Sequence, residues 1–284
     1  MEYLFHLAIL IGIYAILALS LNLVVGYTGL LSVAHAAYFG IGAYTTAIFS
    51  TRLGIDFFLA LPAGVALACV LALLVGAVLS KFNGDYYALG SLGFNVIAVS
   101  IMLNWQSVTR GPLGIVGIPR PAGFSTNAAF LLFIAVCFVL VGLAARFIAR
   151  SSFGRALKAI REDEQALRVF GYNTQHYKLA VSVIGAGMAT VAGAAYAAYV
   201  TFIDPTTFTI NESIFMLAII ILGGLASLKG SVLGAAFLVL LPEALRFVGF
   251  PSEIAGQMRL AVYGALLVAL MLWRPQGFAG EYKL

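Results

Sequence analysis

The sequence is short of charged residues, cysteines and histidines. Only 10% of its 284 residues are Asp, Glu, Lys or Arg, whereas 62% are hydrophobic and the mean hydropathy is +1.04. This composition excludes a soluble globular domain, in which about 25% of residues are charged. The two cysteines, Cys69 and Cys137, both lie in apolar runs, so we expect neither a structural disulfide nor a zinc site.

Sequence patterns of catalytic and nucleotide-binding sites are also missing. The three histidines, His6, His35 and His176, lie far apart, and the chain has no HExxH, GxSxG or Walker motif. We therefore predict a protein that is not an enzyme and that holds no metal or cofactor of its own. If its work uses ATP, another chain must bind the nucleotide. The net charge of +5 does not indicate nucleic-acid binding, because basic and aromatic residues do not interleave on a soluble surface.

Long apolar runs are what the chain has in abundance, and several reach the roughly 20 residues that span a bilayer. We place apolar segments at 3–25, 28–50, 58–80, 85–104, 128–149, 177–201, 212–228, 230–248 and 254–273. The predicted fold is an all-α polytopic membrane protein with about 8–9 transmembrane helices in a single domain over residues 1–284. The 30 glycines predict close contacts between helices, because small residues allow membrane helices to approach one another.

Basic residues give the predicted orientation. Seven of the 16 Lys and Arg lie in or just before residues 151–178, and the positive-inside rule places such a segment in the cytoplasm. Lys81 and Lys229 are then cytoplasmic as well, and the loop 105–127 lies outside. This loop cannot cross the membrane, because its prolines and glycines would leave backbone groups unpaired in lipid.

The second apolar segment is rich in Gly, Ser, Thr and Tyr, and we predict a broken or partly re-entrant helix in place of a plain span. Polar side chains in and near it, and one in the fourth segment, are candidates to line a solute pathway: Asn22, Thr28, Ser32, His35, Tyr38, Tyr44 and Asn95. Ser32, His35 and either Tyr38 or Phe39 would share one helix face. A titratable residue at membrane depth indicates function, and a histidine bonded to a neighbouring helix only for packing is the alternative.

Residues 151–176 form the one long polar segment, and their pattern predicts two short helices outside the bilayer. Ser151 or Ser152 caps the first helix, whose apolar residues share one face: Phe153, Ala156, Leu157 and Ile160. Residues 161–164 interrupt this stripe. A second helix then runs to Gly171, a residue suited to a helix C-terminus. Asn173 or Thr174 caps the span that follows.

We expect the apolar face of this first short helix to be available to a groove on a partner protein. The acidic residues 162–164 argue against a role in binding anionic lipid alone, because like charges repel. A surface with charges of both signs fits a protein partner better. A solvated helix whose cations only set the topology and touch lipid headgroups is the alternative.

Four stretches resemble the branched-chain amino-acid permeases of ATP-binding-cassette (ABC) importers. They are residues 26–47 (GYTGLLSVAHAAYFGIGAYTTA), 111–121 (GPLGIVGIPRP), 153–180 (FGRALKAIREDEQALRVFGYNTQHYKLA) and 273–278 (WRPQGF). They occur in the family's order and are spread over most of the chain, from residue 26 to residue 278. The resemblance implies an ABC importer permease bundle in the bacterial cytoplasmic (inner) membrane, which moves branched-chain or other hydrophobic amino acids without chemistry of its own.

The resemblance also implies partners. Two ATPase subunits would bind ATP and dock on the polar segment at Gly154, Arg155, Ala156, Ala159, Ile160, Arg161, Glu162, Asp163 and Gly171. The small residues among these would let the helix seat deeply, and the arginines would pair with carboxylates of the ATPase. A second permease subunit, in a heterodimer, and a periplasmic or extracellular solute-binding protein would complete the importer within the membrane lipid.

Other functions stay open at this point. A related permease would carry urea, short amides or sugars through the same fold. An ion-driven secondary transporter would work alone and would keep intramembrane carboxylates, which are scarce in this sequence. An intramembrane enzyme would need paired catalytic groups at one depth, and the sequence indicates none.

Overall fold

The computed structural model describes residues 2–82, 84–246, 264–265, 268 and 276–280, and most of these residues are helical. In chain order the helices are α1 (Glu2–Thr28), α2 (His35–Arg52), α3 (Phe57–Leu79), α4 (Asp85–Asn104), α5 (Gln106–Thr109), α6 (Asn127–Arg150), α7 (Ser152–Glu162), α8 (Glu164–Val169), α9 (Thr174–Val200), α10 (Ile210–Gly223) and α11 (Leu228–Arg246). Two 3-10 helices, Gly111–Leu113 and Pro205–Phe208, and two short strands, β1 (Ile115–Val116) and β2 (Phe202–Ile203), complete the regular structure of the described part.

The predicted all-α polytopic membrane fold is confirmed. Eight of the nine predicted apolar segments coincide with helices, and the ninth, 254–273, lies almost entirely outside the described residues. Five described helices are long and apolar enough to cross a membrane, namely α1, α3, α4, α6 and α9. Helix α10 has only 14 residues, fewer than a perpendicular span requires. The loop 105–127 contains short elements and no span, as its prolines and glycines predict.

Helices α1 and α9 form the centre of the bundle. In their most apolar 18-residue stretches, 72% of the residues of α1 and 61% of those of α9 are buried, against 22% for α3, so α3 turns most of its apolar side chains away from the bundle. Glycines allow α2 and α9 to cross in close contact. A Cβ atom on Gly42 would lie 2.3 Å from the carbonyl oxygen of Thr190, and one on Gly193 would lie 2.0 Å from that of Phe39. Close packing through glycine is thus confirmed at this crossing.

The two ends of the bundle differ in charge. One end, which we call the coupling end, carries α7, α8, the α10–α11 turn and the turn Gln276–Gly280, which bonds to the end of α10. Nine of the 16 Lys and Arg lie at this end: Lys81, Arg146, Arg150, Arg155, Lys158, Arg161, Arg168, Lys178 and Lys229. The opposite end carries the start of α1 and the antiparallel pair β1–β2. By the positive-inside rule we expect the coupling end to face the cytoplasm.

Residues 29–34 separate α1 from α2 and are not helical; we call them the α1–α2 break. Side chains of α4 and α10 bind its backbone. Ser91 Oγ accepts a hydrogen bond from the Val33 N–H at 2.9 Å, and Ser213 Oγ donates one to the Val33 carbonyl at 2.6 Å. Ser213 Oγ also accepts from the Ala36 N–H at 3.1 Å. These bonds replace those of a continuous helix, so the backbone is satisfied inside the bundle. The sequence predicts a broken helix over 28–50, whereas the structure has this non-helical link followed by one unbroken helix, α2.

Candidate coupling and translocation site

Helices α7 and α8 form the polar segment at the coupling end, and local side-chain chemistry sets their limits. The Ser151 Oγ accepts a hydrogen bond from the Gly154 N–H at 3.2 Å and caps α7. Asp163 separates the two helices, and its Oδ1 caps α8 by accepting from the Ala166 N–H at 2.9 Å. Three predicted helix limits are confirmed: Ser151 before α7, Gly171 after α8 with φ +85°, and Asn173 before α9.

Helix α7 turns its apolar face toward its own chain. Ala156, Leu157 and Ile160 are buried, with Leu157 and Ile160 packed among residues of α1, α6 and α9. Gly154 is equally enclosed, because a Cβ atom there would lie 2.4 Å from the carbonyl oxygen of Ile148. The prediction that this face is available to a groove on a partner protein is therefore wrong, because the face packs against the protein's own helices. The exposed members of the predicted ATPase-docking set are Arg155, Glu162, Asp163 and Gly171, with Ala159 partly exposed.

Arg161 fastens α7 to the end of α1. Its guanidinium donates a hydrogen bond to the carbonyl oxygen of Gly26 in the last turn of α1. Its aliphatic stem lies against Gly29, where a Cβ atom would be 3.0 Å from Cγ of Arg161 and where φ is +72°. Close by, the Lys158 Nζ lies 5.4 Å from the centre of the Tyr27 ring. Arg161 was predicted to pair with a carboxylate of the ATPase, whereas its observed partner is the backbone beside the α1–α2 break.

An ion-pair cluster fastens α8 to the start of α9. The Glu164 Oε2 lies 2.6 Å from the Nζ of Lys178, which is fully buried, and the Glu164 Oε1 lies 2.7 Å from Nη2 of Arg168. The Thr174 hydroxyl donates to the same Oε1 at 2.8 Å. Burial alone would raise the pKa of the Glu164 carboxyl, but hydrogen bonds from Lys178, Thr174 and Arg168 outweigh burial and lower this pKa below its usual value. The acidic triplet is thus only partly a surface for a partner, since Glu164 serves the chain itself.

The end of α8 presents apolar side chains outward. Val169 is 86% exposed and Phe170 is 79% exposed, and Tyr172 is about half exposed. Phe170 follows the last residue of α8, and its side chain makes little contact with the rest of the described chain. Residues of this type, left in water next to a charged helix, are typical of the core of an interface.

A small polar cavity lies beside the α1–α2 break. Three of the predicted pathway residues line it, namely Ser32, His35 and Tyr38, together with Tyr87 of α4 and Ser182 of α9. Its volume is about 10 Å³, room for one water molecule at most. The His35 Nε2 lies 2.7 Å from the Ser20 Oγ of α1. Ser32 belongs to the break and not to α2, so the predicted shared helix face is wrong, although the cavity brings the same three side chains together.

Asn22 and Thr28 take part in local structure. The Asn22 amide donates to Ser231 Oγ at 2.6 Å and to the Ser227 carbonyl at 3.0 Å, and its carbonyl oxygen accepts from the Ala226 N–H at 2.9 Å. These bonds close the α10–α11 turn and occupy the amide, so the expectation that it lines a pathway is not supported by its contacts. The Thr28 hydroxyl donates to Val24 and accepts from the Leu30 N–H, which ends α1.

Tyr44 and Asn95 meet around Phe208, away from the small cavity. The Asn95 amide donates to the Phe208 carbonyl at 3.4 Å, and the rings of Tyr44 and Phe208 are 5.9 Å apart. Three buried hydroxyls of α2 lack a hydrogen-bond partner in the structure, those of Tyr44, Thr46 and Ser50. A buried hydroxyl without a partner costs free energy, which makes these groups candidates to bind a solute. Thr46 and Ser50 were not among the predicted pathway residues, because two hydroxyls in an apolar helix are only a weak indication of a binding site.

Several other site residues were missed. Tyr87, Ser91, Ser182 and Ser213 either line the small cavity or bind the break. Single tyrosines and serines are common in membrane helices, so only the spatial neighbours of these residues identify them. In the described ranges no three His, Cys, Asp or Glu side chains are grouped to hold a metal ion.

Comparison with known proteins identifies the family. The family described as "Branched-chain amino acid transport system / permease component" matches residues 3–271. The permease protein LivM of the high-affinity branched-chain amino acid transport system of Escherichia coli (strain K12) is 35% identical over 95% of this chain and 68% of its own length. The LivH permease of the same strain is 29% identical over 94% of this chain and 91% of its own length. No solved structure matches the chain.

A more distant relative bears on the substrate. The autoinducer 2 import system permease LsrC of Escherichia coli O9:H4 (strain HS) is 30% identical over 71% of this chain and 64% of its own length. The permeases of this class act with ATPase and solute-binding partners. The match over nearly the whole chain, the helical membrane fold and the charged segment at one end agree with one another. The chain belongs to the branched-chain amino acid transport permease family and is a permease subunit of an ABC importer.

Proposed function

We propose that this permease imports branched-chain or other hydrophobic amino acids across the bacterial inner membrane. The similarity to LivM covers nearly the whole chain, whereas the similarity to LsrC, whose name refers to a different solute, covers less. The apolar residues around the break suit an aliphatic side chain, and a few hydroxyls suit the charged backbone of an amino acid. The chain performs no chemistry on the solute.

The pathway that we propose is completed by a second permease subunit. The cavity beside the break has room for about one water molecule, far less than an amino acid needs. In this conformation the cavity is therefore closed to an amino acid. Similarity to both LivM and LivH of one strain supports a heterodimer of two related permeases. We infer two ATPase subunits, one for each permease, and a periplasmic or extracellular solute-binding protein that delivers the solute.

The observation that carries this proposal is the contact of α7 with the α1–α2 break. Arg161 binds the Gly26 carbonyl and covers Gly29 on one side of the break, while Ser32 and His35 lie at or beyond its other side. An ATPase that moves α7 would therefore move the backbone that leads to the small cavity. The exposed docking residues are Arg155, Glu162, Asp163 and the apolar end of α8 at Val169 and Phe170.

Reconstitution tests the proposal. Proteoliposomes that contain both permeases and both ATPases, with the solute-binding protein and leucine outside, are expected to accumulate leucine only when ATP is present inside. The control is the same vesicle with an ATPase inactivated in its phosphate-binding loop. Uptake of leucine by the permease chain alone, driven by an ion gradient, would contradict the proposal and favour a secondary transporter. ATP-dependent uptake of urea, an amide or a sugar, with no uptake of leucine, would support the ATP-driven importer but contradict the proposed amino-acid substrate.

A further inference from the structure

Four cationic side chains surround an open recess at the coupling end. The recess has a volume of about 310 Å³, and its cations come from three helices: Arg146 and Arg150 of α6, Lys158 of α7 and Lys229 of α11. None of the described residues that line it is acidic. Arg146, Arg150 and Lys229 place three positive charges around one space, where like charges repel one another, and an anion between them lowers that repulsion.

The first turn of α11 adds to the positive potential. Ser227 caps this helix, with its Oγ accepting a hydrogen bond from the Gly230 N–H at 3.1 Å, and Leu228 and Lys229 of the first turn line the recess. A helix N-terminus carries a partial positive charge and favours an anion. A lysine at this position is unfavourable unless a negative charge lies beside it. Lys229 thus adds its charge to those of the arginines at a helix end that also favours an anion.

An apolar groove continues from the recess along the outer face of α6. It has a volume of about 500 Å³ and is lined by Leu143, Phe147 and Ser151, and by the same two arginines, Arg146 and Arg150, that line the recess. Phe147 is 78% exposed and Leu143 is 58% exposed. Helix α6 is long and apolar enough to cross the membrane, so this groove lies where its last turns leave the hydrocarbon.

We propose that the recess and the groove together form a binding site for an anionic phospholipid of the cytoplasmic leaflet. The phosphodiester and the polar head group occupy the recess between Arg146, Arg150 and Lys229, and an acyl chain lies along Leu143 and Phe147. A soluble anion would fill the recess but would leave the groove bare. An acidic protein segment would have no use for apolar side chains at the membrane boundary. Basic recesses between helices on the cytoplasmic side suit anionic lipid head groups in this way.

Lipid binding to the intact importer tests the site. The complex of all membrane and ATPase subunits is purified in a neutral detergent and titrated with phosphatidylglycerol or with phosphatidylcholine, and bound lipid is counted by native mass spectrometry. We expect tighter binding of phosphatidylglycerol. The variant Arg146→Gln/Lys229→Gln should weaken it roughly 30-fold, since each cation near the membrane surface adds about 1 kcal/mol. The matched control is Lys81→Gln, which removes an exposed cation at the same end of the bundle that lies outside the recess and outside the proposed docking residues.

Two further measurements separate the possible occupants. Phe147→Ser should weaken binding of phosphatidylglycerol without changing the assembly of the complex, because it removes only the acyl contact. Equal binding of the two lipids, or displacement of phosphatidylglycerol by millimolar inorganic phosphate alone, would overturn the proposal. So would a double variant that loses the ATPase subunits while it keeps the lipid, since the recess would then bind a protein.

Discussion

Helices α7 and α8 come from one charged segment, yet they have opposite surroundings. In α7 the apolar residues Leu157 and Ile160 are buried against the protein's own helices, whereas Val169 and Phe170 at the end of α8 are 86% and 79% exposed. Both helices begin with a side-chain cap, Ser151 for α7 and Asp163 for α8, so their local structure does not explain the difference. The segment therefore has two halves. We call α7, whose apolar residues are buried, the anchored half, and α8 with Phe170, whose apolar side chains are exposed, the presented half.

The two halves are attached to the bundle by different chemistry. A backbone hydrogen bond from Arg161 joins α7 to α1, and a buried ion pair between Glu164 and Lys178 joins α8 to α9. A force applied by the ATPase at the presented half would therefore reach two central helices at once. The experiments below break one attachment at a time, and they are ordered by the size of the expected effect.

Glu164→Gln should have the largest effect. It leaves the ammonium of the fully buried Lys178 without its carboxylate, and breaking a buried ion pair from one side costs about 3–5 kcal/mol. We expect amide hydrogens of α8 to exchange much faster, which hydrogen-exchange mass spectrometry measures in nanodiscs. Arg168→Gln is the matched control. Arg168 bonds the same carboxylate, but its side chain is 44% exposed, so its loss should cost about 1 kcal/mol or less.

The attachment of α8 should also depend on pH. Because the pKa of the folded Glu164 is lowered, its contribution is complete above the ordinary value of 4.5, falls as the pH drops below that value, and is lost once the pH passes the folded pKa. A fluorophore on a cysteine at position 169 would report the change. The same profile in Glu164→Gln should be flat over this range. An equal pH dependence in both proteins would show that another group holds α8.

Arg161→Ala should separate ATP hydrolysis from transport. A hydrogen bond to a charged group contributes about 1.5–3 kcal/mol, so loss of the bond to Gly26 should free α7 from the α1–α2 break. We expect leucine uptake in proteoliposomes to fall about tenfold or more while ATP hydrolysis continues. The control is Gln165→Ala, which changes an exposed residue of α8 and should leave the rates of ATP hydrolysis and leucine uptake unchanged. Equal loss of hydrolysis and uptake in Arg161→Ala would indicate failed docking of the ATPase and would contradict the role of this contact.

Local features of the sequence predicted the local structure of the segment well. Ser151, Gly171 and Asn173 act on their immediate neighbours, and each was recognisable as a residue that starts or ends a helix. The Gly- and Ser-rich sequence of residues 28–50 indicated an interruption, but the structure places it before α2, which is unbroken from His35 to Arg52. These features depend on spacing along the chain, which the sequence contains in full.

The partners of each side chain could not be predicted in the same way. The spacing of Ala156, Leu157 and Ile160 defines an apolar face but not the surface that covers it, which turned out to be the chain's own bundle. The bond between Asn22 and Ser231 joins residues 209 positions apart, and nothing local in either segment indicates it. Candidate pathway residues chosen by polarity alone therefore included a structural amide and missed Ser182, whose position is clear only from the packing of α9.

Phe170→Ser should test the presented half. Phe170 is 79% exposed, so its loss should leave the folded permease unchanged, whereas burial of a phenylalanine in an interface contributes about 2 kcal/mol. We expect the affinity for the ATPase to fall about 30-fold when it is measured by titration of the ATPase into permease nanodiscs. Leu113→Ser is the matched control, because Leu113 is 82% exposed at the opposite end of the bundle. Unchanged affinity in Phe170→Ser would mean that the ATPase docks only on the polar residues of α7.

Gly171→Ala should have the smallest effect, and it isolates the geometry of the turn between α8 and α9. No atom of the described residues lies within 4 Å of the site where the Cβ would stand, so the cost comes from φ +85°, about 1 kcal/mol for a residue with a side chain. Gly93→Ala is the control, since Gly93 also has open space around it but lies within α4, where alanine is favoured. We expect slightly faster amide exchange in α8 for Gly171→Ala and an unchanged exchange rate there for Gly93→Ala. A large loss of transport in Gly171→Ala would show that the ATPase requires this turn directly, because the permease itself makes no contact that the methyl group disturbs.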